Sequence, residues 1–212
     1  MGYSAVMDVQ RAALPAEAVT TGSLRILTDD ELIRLCARGE QSAITELARR
    51  YQTPIYRFLL RMTGSPEDAE ECALDVFVRA WRNASRFEFR CRVGTWLYRI
   101  AANIARDAYS RRKCRPQEPW PDEHELARMA TGSAEEDALA GLQRERLAKA
   151  LTIALGKLKP IDRAVLILYY LEQRDYDEIQ QITQLTYSVL KTRLARARKR
   201  LRVEMEKSEF DR

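Results

Sequence analysis

Apolar residues recur at helical spacing through nearly the whole of this chain, and almost no segment alternates as a half-buried strand would. The pattern breaks once, after residue 115, in a stretch of Pro, Gly, Ser and acidic residues that has the composition of a linker. We therefore expect an all-α protein of two small helical domains joined by a flexible acidic linker. The expected boundaries are a flexible tail at residues 1–27, a first domain at 28–115, the linker at 116–141 and a second domain at 142–207.

Capping signals mark the first helices. Thr28 and Glu31 have the spacing of a capping box, in which each side chain accepts a hydrogen bond from the other residue's backbone. Gly64 ends the run that follows. Ser65 is placed as an N-cap, Pro66 stands in the first turn, and acidic residues follow near the positive end of the helix dipole. These signals predict a helix from residue 65 to about residue 82.

The helix predicted after Ser65 has two unlike sides. One is an apolar stripe typical of a core. On the other, Leu74 and Val78 lie among acidic residues, where a core helix needs no apolar side chains. Two interpretations are open at this point: stray exposed aliphatics, which are common, or a docking surface. The core stripe consists of Ala69, Cys72, Ala73, Val76, Phe77, Ala80 and Trp81.

A basic segment extends from Arg90 to Arg115, with eight Arg or Lys residues and one acid, Asp107. Its helix has a core stripe of Leu97, Ile100, Ala101, Ile104 and Ala108. Cations can contact phosphates, an aromatic ring can stack on a base, and an amide can reach a base edge, so the pattern suits nucleic acid. The face opposite the core collects Trp96, Arg99, Asn103, Arg106 and Ser110.

The second block ends in a short helix, a tight turn and a long basic helix. Asp175 and Glu178 have capping-box spacing, and Thr186 stands where the basic helix begins. Seven of the residues from Ser188 to Arg202 are Lys or Arg and none is acidic, while Leu190, Leu194, Ala197 and Leu201 form a narrow apolar stripe. A solvated basic face is one explanation. The helix-turn-helix order favours the other, in which DNA phosphates offset the repulsion between the cations.

Other chemistries find little support in the sequence. The four cysteines form no CxxC pair and the chain has a single His, so we expect no metal site and no cofactor. Cys36 and Cys72 fall in apolar helical patterns and are interpreted as core residues. With no Gly-rich phosphate loop and no HExxH motif, we expect no enzymatic activity. No apolar run is long enough to span a bilayer, so we expect a cytoplasmic protein without membrane insertion.

The segments "YRFLLRMTGSPEDAEECALDVFVRAWR", "GTWLYRIAANIARDAYSRRK" and "KTRLARARKRL" resemble the extracytoplasmic-function (ECF, group IV) sigma factors of bacterial RNA polymerase, in the family's order and spacing. The resemblance implies an alternative sigma factor for a stress- or signal-responsive regulon. Its partners would be core RNA polymerase, through the β′ clamp and the β flap, and promoter DNA, with a possible anti-sigma factor. The linker would take the place of region 3.

The resemblance also implies roles for individual residues. Polymerase would be bound by the acidic helix, region 2.2, through Glu67, Asp68, Glu71, Leu74, Asp75 and Val78. Residues from about Arg86 to Thr95 would form the region 2.3 loop. The −10 element would be read and melted by Arg90, Arg92, Trp96, Arg99, Asn103, Arg106, Arg111 and Arg112. The −35 element would be read from region 4 by Tyr187, Ser188, Lys191, Thr192, Arg193, Arg196 and Arg198.

Three positions depart from the family pattern. Leu74-Asp75 stands where Gln-Glu is usual, and Tyr187 lies in an unusual entry to the basic helix. Gln184 replaces the common Gly of the helix-turn-helix turn, so either it adopts a left-handed conformation, at roughly 1 kcal/mol, or the turn differs. The alternative function is a stand-alone helix-turn-helix regulator, which would leave the first basic segment and the acidic–apolar helix without a role.

Overall fold

A computed structural model describes residues 24–113, 147–148 and 150–210 of the chain. These residues form helices and connecting turns, with no strand among them. The tail up to residue 23 and the predicted linker at 116–141 lie outside the described residues. Within the described ranges, no helix has both the length and the apolar character that crossing a bilayer requires. The expected all-α fold is confirmed.

The first domain consists of four helices and one 3₁₀ turn. The helices are α1 (Asp29–Ala37), α2 (Gln41–Thr63), α3 (Pro66–Asn83) and α4 (Val93–Lys113), and the 3₁₀ turn is Ala84–Arg86. Their inward faces meet in one core that includes Leu32, Leu47, Phe58, Val76 and Leu97, each fully buried. The predicted stripes of α3 and α4 face this core.

The predicted caps of the first domain are present. Thr28 N–H donates to Glu31 Oε2 at 2.7 Å, and Glu31 N–H donates to Thr28 Oγ1 at 3.3 Å, which completes the capping box. Asp68 N–H donates to Ser65 Oγ at 3.2 Å. Gly64 ends α2 at φ 70°, a left-handed conformation that glycine adopts without steric cost.

The first domain begins before the predicted boundary at residue 28. Leu24 is only 2% exposed. The Nη2 group of Arg50 donates to the carbonyls of Leu24, Arg25 and Leu27 at 3.1, 3.1 and 2.8 Å. A guanidinium that satisfies three carbonyls holds this segment against α2, so residues 24–27 are part of the domain and not of a flexible tail.

The second domain contains a helix-turn-helix. Residues 150–156 (α5) precede α6 (Pro160–Leu166), which continues into a π-helical turn at Ile167–Leu171. The helices α7 (Tyr176–Thr183) and α8 (Tyr187–Phe210) complete the motif. Leu190, Leu194 and Ala197 of α8 are buried, so the predicted apolar stripe of the basic helix faces the supporting helices.

The turn between α7 and α8 keeps its geometry without a glycine. Gln184 adopts φ 60° and ψ 26°, which is the left-handed conformation. Its Nε2 donates to the carbonyl of Gln181 at 2.7 Å. Of the two possibilities left by the sequence, the first holds: the residue carries the strain and the turn is unchanged.

The capping box predicted at Asp175 is only half formed. Glu178 N–H donates to Asp175 Oδ1 at 2.7 Å, as expected for an N-cap. The Glu178 carboxylate does not return the bond, because it accepts from Arg174 Nη1 at 3.2 Å instead. Arg174 lies four residues before Glu178 in the same domain, so an i,i+4 ion pair has taken the place of the return bond.

The two domains are in direct contact, mainly between α4 and the segment from α6 to α7. Glu172 accepts hydrogen bonds from Arg61 Nη1 at 3.1 Å and from Tyr98 Oη at 2.5 Å. The guanidinium of Arg174 lies 4.7 Å from the centre of the Tyr98 ring. Arg163, which is 1% exposed, donates from Nη1 to the carbonyl of Met62 at the end of α2. Polar bonds thus link one domain to the other.

Arg163 is a buried cation with main-chain partners. Besides Met62, it donates to the carbonyls of Leu155 at 2.8 Å and Gly156 at 2.7 Å. Burial lowers the pKa of Arg163 to about 10, which still leaves the group charged at neutral pH. The carbonyl of Leu155 also accepts from Leu158 N–H at 3.1 Å, so Arg163 adds to the bonds at the end of α5 while it reaches the first domain.

Candidate nucleic-acid and partner interfaces

The acidic–apolar face, defined by Glu67, Asp68, Glu71, Leu74, Asp75 and Val78, lies on the outer side of α3. Leu74 is 69% exposed, although the helix buries Cys72 and Val76 beside it. Glu67 and Glu71 are exposed, while Asp68, Asp75 and Val78 are half-buried. All six residues share one face, as the sequence predicted. An exposed leucine among carboxylates provides an apolar contact surrounded by negative charge.

The first basic surface, defined by Arg90, Arg92, Arg99, Asn103, Arg106, Arg111 and Arg112, extends along α4 and the loop before it. The side chains of Arg90, Arg92, Asn103, Arg106 and Arg111 are exposed, and Arg99 is half-buried. Arg106 Nη2 donates to Asn103 Oδ1 at 3.0 Å, which leaves the amide NH₂ of Asn103 free to point outward as a donor. Arg112 lies on α4, but its side chain is outside the described set.

Trp96 does not join this surface. Its side chain is 6% exposed, and its ring centre lies 4.9 Å from that of Phe87. The sequence placed Trp96 on the outer face because the core stripe of α4 runs on the other side. The loop before α4 folds back, however, and buries the indole. As a ring for stacking on a base, Trp96 is unavailable in this arrangement.

Phe89 was not singled out by the sequence pattern, yet it is the exposed aromatic residue of that loop. It is 41% exposed and adopts φ 54°, which is uncommon for a bulky residue. Its ring lies 4.4 Å from the guanidinium carbon of Arg34 and 4.8 Å from the centre of the Phe87 ring. The repeated aromatic in "RFEFR" is the only sequence signal that could have indicated this residue.

The second basic surface, defined by Tyr187, Ser188, Lys191, Thr192, Arg193, Arg196 and Arg198, lies on α8. Six of these residues are exposed and Arg193 is half-buried. Tyr187 is 55% exposed at the first position of the helix, with its ring centre 5.6 Å from that of Tyr176. Arg198 Nη1 donates to Tyr170 Oη at 3.3 Å. The predicted residues are therefore together on one helix and mostly open to solvent.

Asp162 is the residue of this surface that sequence reasoning missed. It is 4% exposed, and its Oδ1 accepts from Arg193 Nη1 at 2.9 Å. Its other oxygen, Oδ2, lies 3.6 Å from Arg200 Nη1. Helical periodicity can indicate that a segment is buried, but it does not say which distant cation a buried carboxylate meets.

The described residues hold no cluster of three or more His, Cys, Asp or Glu side chains able to bind a metal ion. Burial raises the pKa of the Cys36 and Cys72 thiols to about 11, so both are protonated at neutral pH. They are free thiols in the core, as the sequence predicted. Cys91 is half-buried and Cys114 lies outside the described residues.

Two family models match the two domains. Sigma-70 region 2 matches residues 47–115, and Sigma-70, region 4 matches residues 148–201. RNA polymerase sigma factor YlaC of Bacillus subtilis (strain 168) is 32% identical over 168 residues, which cover 79% of this chain and 95% of that protein. ECF RNA polymerase sigma factor SigW of the same organism is 29% identical over 186 residues, covering 82% of this chain and 94% of SigW. This chain belongs to the ECF sigma factors of the sigma-70 family.

The fold of this ECF sigma factor agrees with a solved complex, that of the sigma factor RpoE with the anti-sigma factor NepR from Bartonella quintana. The TM-score is 0.52 at 20% identity, over 76% of this chain and 97% of the RpoE chain. The ECF sigma factor carries both region 2 and region 4, so its first domain has a role that a stand-alone helix-turn-helix regulator would not give it. It is a transcription initiation factor that binds core RNA polymerase and promoter DNA.

Proposed function

We propose that this ECF sigma factor directs polymerase to the promoters of a stress- or signal-responsive regulon by binding two DNA elements with two separate domains. The −10 element is contacted by the first basic surface and the −35 element by the second. The observation that carries this proposal is that each domain has its own exposed cationic surface around a helix of the required type. Two weak sites on one chain gain affinity through effective concentration, so each alone stays weak on non-promoter DNA.

Promoter opening is assigned to α4 and the loop before it. Melting breaks base stacking, and a displaced base has to be held by other contacts, each base stack on an aromatic side chain being worth about 1–3 kcal/mol. Asn103 offers an outward-pointing amide among cations. Phe89 supplies the exposed ring that Trp96 does not. The protein itself makes and breaks no bonds, because catalysis belongs to the polymerase, so we do not expect it to be an enzyme.

Binding to the β′ clamp is assigned to the acidic–apolar face of α3. Leu74 is exposed where a soluble monomer gains nothing from an apolar side chain, and the surrounding carboxylates suit a basic partner. Contact with the β flap is assigned to an apolar cleft of about 490 Å³ in the second domain, lined by residues that include Leu151, Leu166, Leu201 and Met205. Leu74-Asp75 would change one clamp contact relative to the Gln-Glu of other members.

Regulation and location follow the same reasoning. An anti-sigma factor that covers the polymerase-binding surfaces would keep the protein inactive until a signal releases it, as the NepR complex of RpoE suggests. We assign the protein to the cytoplasm, where polymerase and promoters are found. No metal ion or cofactor is needed for any of these steps.

Run-off transcription with purified core polymerase and a library of promoter fragments tests the proposal. We expect transcripts from fragments that share a −10 and a −35 element, and none from core polymerase alone. A gel shift with the protein alone provides the contrast, because a stand-alone regulator would bind a specific duplex without polymerase. Specific binding without core polymerase, together with no transcript from any fragment, would refute the proposal.

A further inference from the structure

A buried carboxylate lies beneath the most basic surface of the molecule. Asp162 near the start of α6 is 4% exposed, and its partners are cations of α8: Arg193 Nη1 at 2.9 Å and Arg200 Nη1 at 3.6 Å. The side chain of Arg193 is 37% exposed and that of Arg200 is 56% exposed. Arg193 is thus hydrogen-bonded inside the protein, and Arg200 lies within ion-pair distance of the same carboxylate, while both side chains remain partly accessible from outside.

These groups line a shallow cavity between α6 and α8 with a volume of about 430 Å³. Hydroxyl groups and further cations complete its wall. A concave surface with several cations, two hydroxyls and a single buried carboxylate is suited to an oxyanion with fixed geometry, such as a backbone phosphate of DNA. The lining residues are Lys159, Ser188, Val189, Thr192, Arg193 and Arg196, together with Asp162 and Arg200.

Asp162 is not explained by attraction to DNA, since a negative charge beneath this surface weakens the pull on phosphates. Nor is a buried ion pair strong evidence of stabilisation, because desolvation offsets much of its Coulomb attraction. What the pair does provide is geometry. Arg193 is a long side chain with many rotamers, and a hydrogen bond to a carboxylate that cannot move restricts it to a few of them.

The donors of Arg193 are also not exhausted. Asp162 accepts from Nη1 and leaves the other Nη hydrogens available. The Nε of Arg193 is buried without a hydrogen-bond partner among the described residues, so it adds no donor to the surface. A planar guanidinium held by a fixed carboxylate keeps its two Nη groups in place for an acceptor at the surface, and arginine recognises phosphate and guanine through such paired donors.

We propose that Asp162 is a positioning residue that sets the specificity of α8 for its DNA element. The inference rests on the proposed assignment of α8 to the −35 element. Asp162 holds Arg193 and Arg200 in place, so they contact DNA only where an acceptor lies in the right position. A correctly docked site forms the contacts of both arginines, and other DNA forms few of them. By cancelling part of the positive charge, Asp162 also lowers affinity for unrelated sequences.

The test uses holoenzyme reconstituted from core polymerase and the full chain, with promoters carrying the native or a scrambled −35 element. For D162N we expect discrimination between the two promoters to fall about tenfold, the scale of one lost bidentate contact. We also expect binding to the scrambled promoter to tighten, because an arginine no longer paired with Asp162 can contact a phosphate. The slope of log K against log salt concentration should then steepen by up to about one unit. The matched control is D177N, the same Asp-to-Asn change on an exposed residue of α7.

A double-mutant cycle separates positioning from folding. If Asp162 acts through Arg193, D162N should cost little discrimination in an R193A background. Equal costs in both backgrounds, or unchanged discrimination in D162N, would overturn the inference. If D162N fails to fold cooperatively, R193K decides the matter: it keeps the charge but loses the fork, so retained discrimination would overturn the inference and a tenfold loss would support it. A wild-type holoenzyme without −35 discrimination would instead refute the assignment of α8.

Discussion

Tyr98 of α4 donates a hydrogen bond of 2.5 Å to Glu172, a residue 74 positions further along the chain and in the other domain. Arg61 donates to the same carboxylate, and Arg174 covers the Tyr98 ring. Burial, more than the Glu172 bond, raises the pKa of Tyr98, so its hydroxyl remains a donor at every physiological pH. The described structure is therefore a closed arrangement of the two domains.

Closed domains do not fit two separated DNA elements. Elements named for positions −10 and −35 lie about 25 base pairs apart, which is roughly 85 Å along a duplex. We expect the domains to separate when holoenzyme forms. Energy transfer between dyes on S85C and K199C should fall on addition of core polymerase, with Cys91 and Cys114 replaced by Ser to prevent labelling. Unchanged transfer would contradict this expectation.

The Tyr98 hydroxyl should contribute measurably to closure. We expect Y98F to shift the free protein toward the open form by about 1.5–3 kcal/mol, since the lost bond has a charged acceptor. The same dye pair reports the shift. Y170F is the control, because it loses a hydroxyl that Arg198 contacts within the second domain. Equal transfer in Y98F and wild type would show that closure does not depend on this bond.

Leu74 should matter for polymerase and not for folding. Its side chain is 69% exposed, so we expect L74R to leave the melting temperature within a few degrees of wild type and to weaken binding to core polymerase at least tenfold. Fluorescence anisotropy with labelled protein measures the binding. I26R is the matched control, because Ile26 is an 83% exposed aliphatic in the same domain. Loss of binding in both variants would point to a general effect of added charge.

The strained turn offers a stabilising substitution. We expect Q184G to raise the free energy of unfolding by up to about 1 kcal/mol, because glycine adopts φ 60° without the Cβ clash. The comparison is Q184A, which loses the side-chain bond to Gln181 but keeps the clash and should be less stable than wild type. Urea unfolding of the three proteins checks the order, and a glycine variant no more stable than the alanine variant would be inconsistent with strain.

The free energy of unfolding should fall in acid as Glu46 becomes protonated. Hydrogen bonds from Arg49 lower the pKa of Glu46 from 4.5 to about 2. Burial opposes this shift, and Arg50 adds to it. A folded-state pKa below the unfolded value gives stability that is complete above about pH 4.5 and lost as the pH falls toward 2. The difference in stability between wild type and E46Q should therefore shrink over that range. E70Q, on an exposed residue of α3, is the control and should track wild type.

Trp96 and Asn103 should separate folding from promoter opening. Because Trp96 is buried against Phe87, we expect W96A to destabilise the first domain by about 3–5 kcal/mol.

Asn103 is exposed, so N103A should leave stability unchanged and damage opening more than closed-complex binding. Thermal unfolding and permanganate footprints of the holoenzyme measure the two effects. Normal opening in N103A would remove the amide from the proposed mechanism.

Local signals predicted most of the helices, because a cap acts within one turn of its own residues. Helices begin after the N-caps Thr28 and Ser65 and end at Gly64, as the chemistry of these residues predicts. The buried stripes of α3 and α8 follow from the spacing of apolar residues alone. The box at Asp175 is half formed because two local partners compete for Glu178. Arg174, four residues before it, takes the carboxylate, and capping-box spacing alone does not say which partner prevails.

What the sequence could not predict is contact between distant segments. Arg163 satisfies main-chain carbonyls, which every residue carries and no sequence pattern marks. Trp96 lies inside because a loop folds back over it, and Asp162 matters because α8 brings two arginines to it. The six residues on α3 lie on one side of their helix. The seven on α8 do not, because Arg198 contacts Tyr170 while Ser188, Thr192, Arg193 and Arg196 line the cavity beside Asp162. Their roles in binding polymerase and DNA stay predictions until the experiments above are made.

The π-helical turn at Ile167–Leu171 decides where the closing residues point. Glu172 N–H donates to the carbonyl of Ile167, five residues back, at 3.0 Å, so this turn contains one residue more than an α-helical turn. Each residue of an α-helix advances the side-chain direction by about 100°. Deleting one residue here would restore a regular helix but rotate Glu172 and Arg174 away from Tyr98. The difference of one residue in a helical turn thus separates a chain whose two domains can hold each other closed from one whose domains would stay independent.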